Sequence, residues 1–120
     1  MKRVLLIEDD KTMQSLIKTL LEIEGFATIL PEEIQTDVIV KEVINKAPDA
    51  IIMDVNLRQV SGLNILSEIR LSSEINSVKI IMSSGLDLKK ECMQAGADYF
   101  LQKPYMPDQL INWLKNNLDT

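Results

Sequence analysis

The chain has 120 residues, of which 46% are hydrophobic and 26% charged, so we expect a single globular domain, residues 1–120, rather than a disordered or membrane-spanning chain. It contains no histidine and a single cysteine, Cys92, which excludes histidine-containing catalytic triads, zinc sites built from histidine and cysteine, and an internal disulfide, and which fits a reducing cytoplasm. The net charge of −5 argues against direct nucleic-acid binding by this domain, because phosphate contacts need a basic face.

Short apolar runs alternate with amphipathic segments, starting at the N-terminus. Residues 4–7 are all apolar and predict a buried strand. Apolar residues then recur every three or four positions at Met13, Leu16, Ile17, Leu20 and Leu21, which predicts a helix with one apolar stripe. Asp10 is placed to cap this helix and Gly25 to end it.

The rest of the chain repeats this strand–helix unit. Residues 36–45 are ambiguous because Val38, Ile39 and Val40 alone would pass for a strand, and the alternation on either side favours a helix. Strands that are apolar on both faces need helices on both sides, so we expect an α/β fold with a parallel sheet. The further predicted strands are 27–30, 50–53, 79–83 and 99–102. The further predicted helices are 36–45, 88–95 and 108–118, together with one that begins at 62–63.

Polar residues follow the carboxyl ends of four of these strands, where an open parallel sheet binds its ligands. Carboxylates gathered at one sheet edge repel one another and favour a bound cation, and without histidine the choice falls on a hard ion with oxygen ligands such as Mg²⁺. An aspartate in such a place can also act as a nucleophile that forms an acyl phosphate. The residues at these strand ends are Glu8, Asp9, Asp10, Asp54, Ser84 and Lys103.

Each of these residues taken alone also has an ordinary structural explanation. The acidic triplet 8–10 would be a solvated loop with a helix cap, Asp54 and Ser84 would be turn residues, and Lys103 would be a surface lysine. Their joint occurrence at four strand ends is what favours a functional site.

Several segments resemble the response-regulator receiver family, and together they cover essentially the whole chain. Any one of them is weak evidence, but in this order and at strand ends they are specific. The resemblance implies a flavodoxin-like, doubly wound sheet with strand order 2-1-3-4-5, helices on both faces, and a role in two-component phosphorelay signalling rather than as an enzyme. The matching segments are 4–9, 51–57, 60–63, 80–85 and 95–104.

The resemblance also implies a phosphoacceptor and a metal site. Asp54 would accept a phosphoryl group from a histidine kinase or a histidine phosphotransfer protein. Glu8 and Asp9 would organise Mg²⁺, with Asp54 and the backbone carbonyl of Asn56 as further ligands. By the same analogy Asn56 and Leu86 would influence the lifetime of the phosphorylated form.

The remaining family roles fall on the last two strands. Ser84 would bond to a phosphoryl oxygen, in preference to Ser83 because Gly85 then takes the small-residue position that follows it. Lys103 would pair with the phosphoryl group, and its bond to Pro104 would be cis. Phe100 stands at the position of the family's switch aromatic, although a core aromatic explains it equally well.

One departure from the family concerns the segment between Ser84 and Lys103, which is short by roughly one helical turn. The fourth helix should therefore be truncated, which argues against the family's usual dimer on that face. A homodimer, an output domain or an effector protein are nevertheless the further partners that the family implies.

Three other functions are alternatives to phosphorelay signalling. An aspartyl-phosphate hydrolase would need an Asp-x-Asp pattern on the first strand, which the triplet 8–10 lacks. A nucleotide-binding module would need a glycine-rich phosphate loop, and the four glycines form none. A receiver that binds a partner without phosphorylation stays open.

Overall fold

The computed structural model describes residues 1–118, and over that range it contains five strands and five helices in strict alternation. The predicted elements are confirmed, and their ends differ by about one residue from those expected. The strands are β1 (Arg3–Ile7), β2 (Ala27–Ile29), β3 (Ala50–Asp54), β4 (Lys79–Ser84) and β5 (Tyr99–Gln102). The helices are α1 (Lys11–Ile23), α2 (Thr36–Lys46), α3 (Gly62–Leu71), α4 (Lys89–Gln94) and α5 (Pro107–Asn117).

All neighbouring strands pair in parallel, in the order β2-β1-β3-β4-β5, which confirms the predicted topology. Successive side chains of a strand point to opposite faces of the sheet. Leu5 and Ile7 therefore pack in the core on the side of α2, α3 and α4, whereas Val4 and Leu6 pack on the side of α1 and α5. Because both faces of β1 are buried, its sequence is continuously apolar rather than alternating.

Helix α1 has the predicted ends. The side chain of Asp10 accepts a hydrogen bond from the Met13 amide at 3.0 Å, and Gly25 has the positive φ of +92° that ends the helix. The apolar stripe is wider than the buried face of α1, because Leu16 is 62% exposed while Ile17 is buried. Adjacent helical residues lie about 100° apart, and on this helix Leu16 falls outside the face that contacts the sheet.

Residues 36–45, which the sequence left ambiguous between strand and helix, belong to helix α2. Ile39 and Val43, four residues apart, are both buried against the sheet, so the helical period decides over the local run of β-branched residues. Ala47, with φ +45°, ends α2 through a hydrogen bond from its amide to the Val43 carbonyl.

Helix α4 has only six residues among those described, as the short segment before Lys103 predicted. Cys92 is its buried residue, in keeping with a small apolar side chain. Across residues 1–118, no helix is both long and apolar enough to span a bilayer. The cytoplasmic location expected from the cysteine usage stays a prediction.

Candidate functional site

The sheet brings the predicted acidic residues together at its carboxyl edge. Glu8 follows β1 and Asp54 ends β3, and these strands pair so that Ile7 lies opposite Met53. Glu8 and Asp54 each follow this last pair of the ladder by one residue, and Asp9 comes next. One carboxylate oxygen from each of Glu8, Asp9 and Asp54 lies within 4.8 Å of the other two.

Backbone groups hold these carboxylates in place. The Arg58 amide donates to Asp9 Oδ2 at 2.6 Å, and the Asn56 amide donates to Asp54 Oδ1 at 3.3 Å. The loop that supplies both amides turns back sharply onto β3. Gly62 makes that approach possible, because a Cβ there would lie 2.3 Å from the backbone oxygen of Asp54.

Lys103 supplies a cation at the centre of the cluster. Its Nζ lies 2.9 Å from Glu8 Oε1 and 3.4 Å from Asp54 Oδ2, although 95 residues separate it from Glu8. Burial alone would lower the pKa of Lys103, but the hydrogen bond to Glu8 and the charge of Asp54 outweigh it, so the pKa is raised. Lys103 is therefore a fixed ammonium group at neutral pH.

Asp54 is buried, and the positive charge of Lys103 does not fully offset the cost of burying its negative charge. Asp54 is 8% exposed, and this burial raises its pKa; Lys103 opposes the effect and Glu8 adds to it. Three carboxylates thus face a single ammonium group, and a divalent cation would remove the imbalance.

The donor set fits Mg²⁺. Glu8, Asp9 and Asp54 offer carboxylate oxygens, which are the hard ligands that this ion prefers, and they converge at the mouth of the sheet rather than inside the core. The contribution of the Asn56 carbonyl stays a prediction.

The two adjacent serines differ in their surroundings. Ser83 lies opposite Asp54 in the β3–β4 ladder, where its backbone oxygen accepts from the Val55 amide. The Ser84 hydroxyl donates to Asn56 Oδ1 at 2.7 Å and accepts from the Leu86 amide at 3.1 Å. Ser84 is thus joined to the loop that follows Asp54, which supports the choice made from the sequence.

Comparison with known proteins assigns the family. The family model for the response regulator receiver domain matches residues 4–115. The chain belongs to this family. The receiver domain is a signalling domain of two-component systems, and its general function is to be phosphorylated by a histidine kinase.

Individual receiver domains are similar to this one in sequence and structure. It is 33% identical over 111 residues to the cell cycle transcriptional regulator CtrA of Caulobacter vibrioides, covering 91% of this chain and 47% of the relative. A receiver domain of a sensor histidine kinase from Pseudomonas aeruginosa, with a magnesium ion coordinated in its active site cleft, is 29% identical with a TM-score of 0.83, covering 96% of this chain and 95% of the other. The chain spans about half the length of the curated relatives it matches.

Phe100 of this receiver domain lies in the apolar core rather than at the acidic cluster. It is 9% exposed, pairs across the ladder with Met82, and packs on the side of α2, α3 and α4. A switch role for Phe100 stays a prediction.

Sequence reasoning did not single out Tyr105, and although it named Asn56 it did not predict the contact of its side chain with Ser84. The Lys103–Pro104 bond is cis, as predicted, and Tyr105 follows it. Burial raises the pKa of Tyr105, with Lys103 lowering it and the carboxylates of Glu8 and Asp54 raising it, so its hydroxyl lies within the electrostatic reach of the site. Proximity to Lys103 in the chain was the available signal for Tyr105; the Asn56–Ser84 contact joins residues 28 positions apart and had none.

Proposed function

We propose that Asp54 is the phosphoacceptor of this receiver domain. The observation that carries the proposal is the placement of a buried Asp54 carboxylate at a strand end, 3.4 Å from the Lys103 ammonium and beside two further carboxylates. A carboxylate oxygen of Asp54 would attack the phosphorus of a phosphohistidine. The oxygen–phosphorus bond forms as the nitrogen–phosphorus bond breaks, and the imidazole leaves.

Lys103 and Ser84 would stabilise the phosphorylated form. Lys103 already contacts Asp54, so it can pair with a phosphoryl oxygen attached there without crossing the site. The hydroxyl of Ser84, at the end of the adjacent strand, would donate to another of these oxygens. Both residues act on the domain's own phosphoryl group, so the domain promotes its own phosphorylation and dephosphorylation and converts no separate substrate.

Mg²⁺ would be held by Glu8, Asp9 and Asp54, with the Asn56 carbonyl as a further ligand. When bound, it supplies positive charge to the oxygens of the transferring group. The magnesium seen in the similar receiver domain from Pseudomonas aeruginosa supports this assignment. The carboxylates themselves keep the site open to a cation, since Lys103 balances only part of their charge.

The phosphoryl donor would be a histidine kinase or a histidine phosphotransfer protein that docks along α1. Leu16 and Ile23 are 62% and 74% exposed, and with Leu20 they recur at helical spacing on one side of α1. They line a groove that continues to Lys103 and Pro104. This continuity with the acceptor site favours a donor that lays an apolar helix face against α1. Leu16→Lys should slow transfer from a phosphohistidine donor more than from acetyl phosphate.

Phosphorylation would act on an output domain, an effector protein or a second copy of this chain. The similar regulators CtrA and CpxR are transcriptional regulators about twice as long as this chain. The net charge of −5 argues against direct DNA contact by this domain. The six-residue α4 offers little surface for a dimer on its face.

The test is intact-mass measurement after incubation with acetyl phosphate, with and without Mg²⁺, on the native sequence and on Asp54→Asn. We expect a single phosphoryl adduct that requires both Mg²⁺ and Asp54. A Lys103→Ala variant should fold and still be phosphorylated, but partner binding should no longer respond to phosphorylation.

Absence of an adduct, with rapid loss checked by trapping, would contradict the proposal and favour a receiver that only binds a partner. An adduct that persists in Asp54→Asn would place the acceptor elsewhere. Equal partner binding by the phosphorylated native protein and Lys103→Ala would remove the coupling role of Lys103.

A further inference from the structure

In the unphosphorylated domain the hydroxyl of Ser84 both donates and accepts a hydrogen bond. It donates to Asn56 Oδ1 at 2.7 Å and accepts from the Leu86 amide at 3.1 Å. A serine hydroxyl has a single proton to donate, and here the Asn56 carboxamide takes it. Ser84 is 0% exposed, so water does not offer an alternative acceptor.

The two ends of this hydrogen bond are anchored differently. Asn56 lies on a hydrogen-bonded turn: its amide donates to Asp54 Oδ1, and the Gly62 amide donates to the Val55 carbonyl. The other side continues from Ser84 into Gly85, where an added Cβ would meet nothing within 4 Å, and into exposed Leu86. The Asn56 end is therefore held by backbone hydrogen bonds, whereas Gly85 and Leu86 after Ser84 are open to solvent.

The Asn56 carboxamide and a phosphoryl oxygen on Asp54 would compete for the same proton. Under the proposed function, on which this inference rests, Ser84 donates to the phosphoryl group, and it cannot do so while it donates to Asn56. Asn56 is exposed, so its freed oxygen can turn to water, whereas the buried Ser84 hydroxyl must take one acceptor or the other.

We infer that the side chain of Asn56 is a positioning residue that holds the Ser84 hydroxyl in the unphosphorylated arrangement and so sets how readily the domain switches. Its role is separate from the predicted metal contact, which uses the Asn56 backbone carbonyl and survives a change of side chain. Removing the carboxamide should favour the switched arrangement by about three- to ten-fold, the equilibrium equivalent of one typical hydrogen bond.

The first experiment measures affinity for beryllofluoride in the presence of Mg²⁺, followed through the backbone amide signals of Ser84 and Leu86. Asn56→Ala should bind about three- to ten-fold more tightly than the native protein. Asn112→Ala, the same change at an exposed position of α5, should bind with native affinity. In a Ser84→Ala background, Asn56→Ala should have no further effect, which isolates the pair.

The second experiment uses the free protein without metal or beryllofluoride. The Leu86 amide donates to the Ser84 hydroxyl, so its signal should move in Asn56→Ala and return towards its native position in Asn56→Asp, which restores an acceptor. A Leu86 signal unchanged in Asn56→Ala, or an affinity change that is the same with and without Ser84, would overturn the inference. Failure of the native protein to bind beryllofluoride would instead contradict the proposed function.

Discussion

Charged residues lie at both ends of the strands, here called the amino edge and the carboxyl edge of the sheet. The charges at the amino edge are paired, whereas those at the carboxyl edge are not balanced. At the amino edge, Arg70 donates to the carbonyls of Gly96, Asn76 and Val78 at 2.7–2.8 Å and to Asp98 Oδ2 at 2.9 Å. Asp98 also accepts from the Ile80 amide. At the carboxyl edge, Glu8 and Asp54 share the Lys103 ammonium, Asp9 lies beside them, and the pKa of Asp54 is raised by burial.

The difference separates a structural network from a ligand site. The charges of Arg70 and Asp98 balance, and each is engaged by backbone groups, so this network closes the gap between α3, β4 and β5 without any further partner. The acidic cluster keeps an excess of negative charge that the described residues do not balance. The two edges contain the same types of residue, acidic and basic, so residue type does not distinguish them. They differ in whether positive and negative side chains balance.

The largest expected effect is at the acidic edge. Asp9→Asn keeps the size of the side chain and an acceptor for the Arg58 amide but removes one charge. We expect weaker Mg²⁺ binding by calorimetry and a fall of about 10²-fold in Mg²⁺-dependent phosphorylation by acetyl phosphate. Asp10→Asn is the matched control, because asparagine also caps α1. Equal losses in both variants would mean that net charge, not ligation, controls the site.

Removing Arg70 should disrupt the hydrogen-bonded network at the amino edge without affecting the acidic cluster at the carboxyl edge. Arg70→Met leaves Asp98 without its charge partner, and we expect a loss of about 3 kcal/mol in unfolding free energy by denaturant titration. Arg70→Lys should restore only part of it, because an ammonium cannot reach several carbonyls at once. Mg²⁺ affinity should be unchanged. A parallel loss of Mg²⁺ affinity would show that the two edges are coupled.

Asp54→Asn should stabilise the metal-free domain at neutral pH. Because burial raises the pKa of Asp54, its charged form destabilises the fold, and stability falls as pH rises above the ordinary carboxyl value of 3.8. We expect the amide variant to melt about 4 °C higher at about pH 7, with the gap closing towards about pH 4 and on addition of Mg²⁺ to both proteins. A lower melting temperature for the variant would mean that attraction to Lys103 outweighs burial.

The smallest effect is expected at an exposed ion pair. Lys115 Nζ lies 2.7 Å from Glu24 Oε1, closer than the Arg70–Asp98 contact, but the two side chains are 49% and 33% exposed. Lys115→Gln should cost less than about 0.5 kcal/mol in the same denaturant titration. A cost similar to that of Arg70→Met would show that proximity, rather than burial and backbone engagement, decides the contribution of a charge pair.

The sequence by itself determined the order of the elements and the place of the site. Strand and helix periods are local properties, and parallel strands with helical crossovers bring their carboxyl ends to one edge, so Glu8, Asp54, Ser84 and Lys103 could be expected there. The family resemblance added the roles of these residues, which local patterns do not contain.

The tertiary structure alone decided how these residues contact one another. The bond from Lys103 to Glu8 spans 95 positions and that from Ser84 to Asn56 spans 28, and each depends on how neighbouring strands and loops lie beside one another. The same holds for Leu16, which belongs to the apolar stripe of α1 by its spacing but is 62% exposed in the folded domain. Periodicity determines which segments become strands and helices, whereas lateral packing between segments distant in the chain determines which polar groups are partnered and which are left for a ligand.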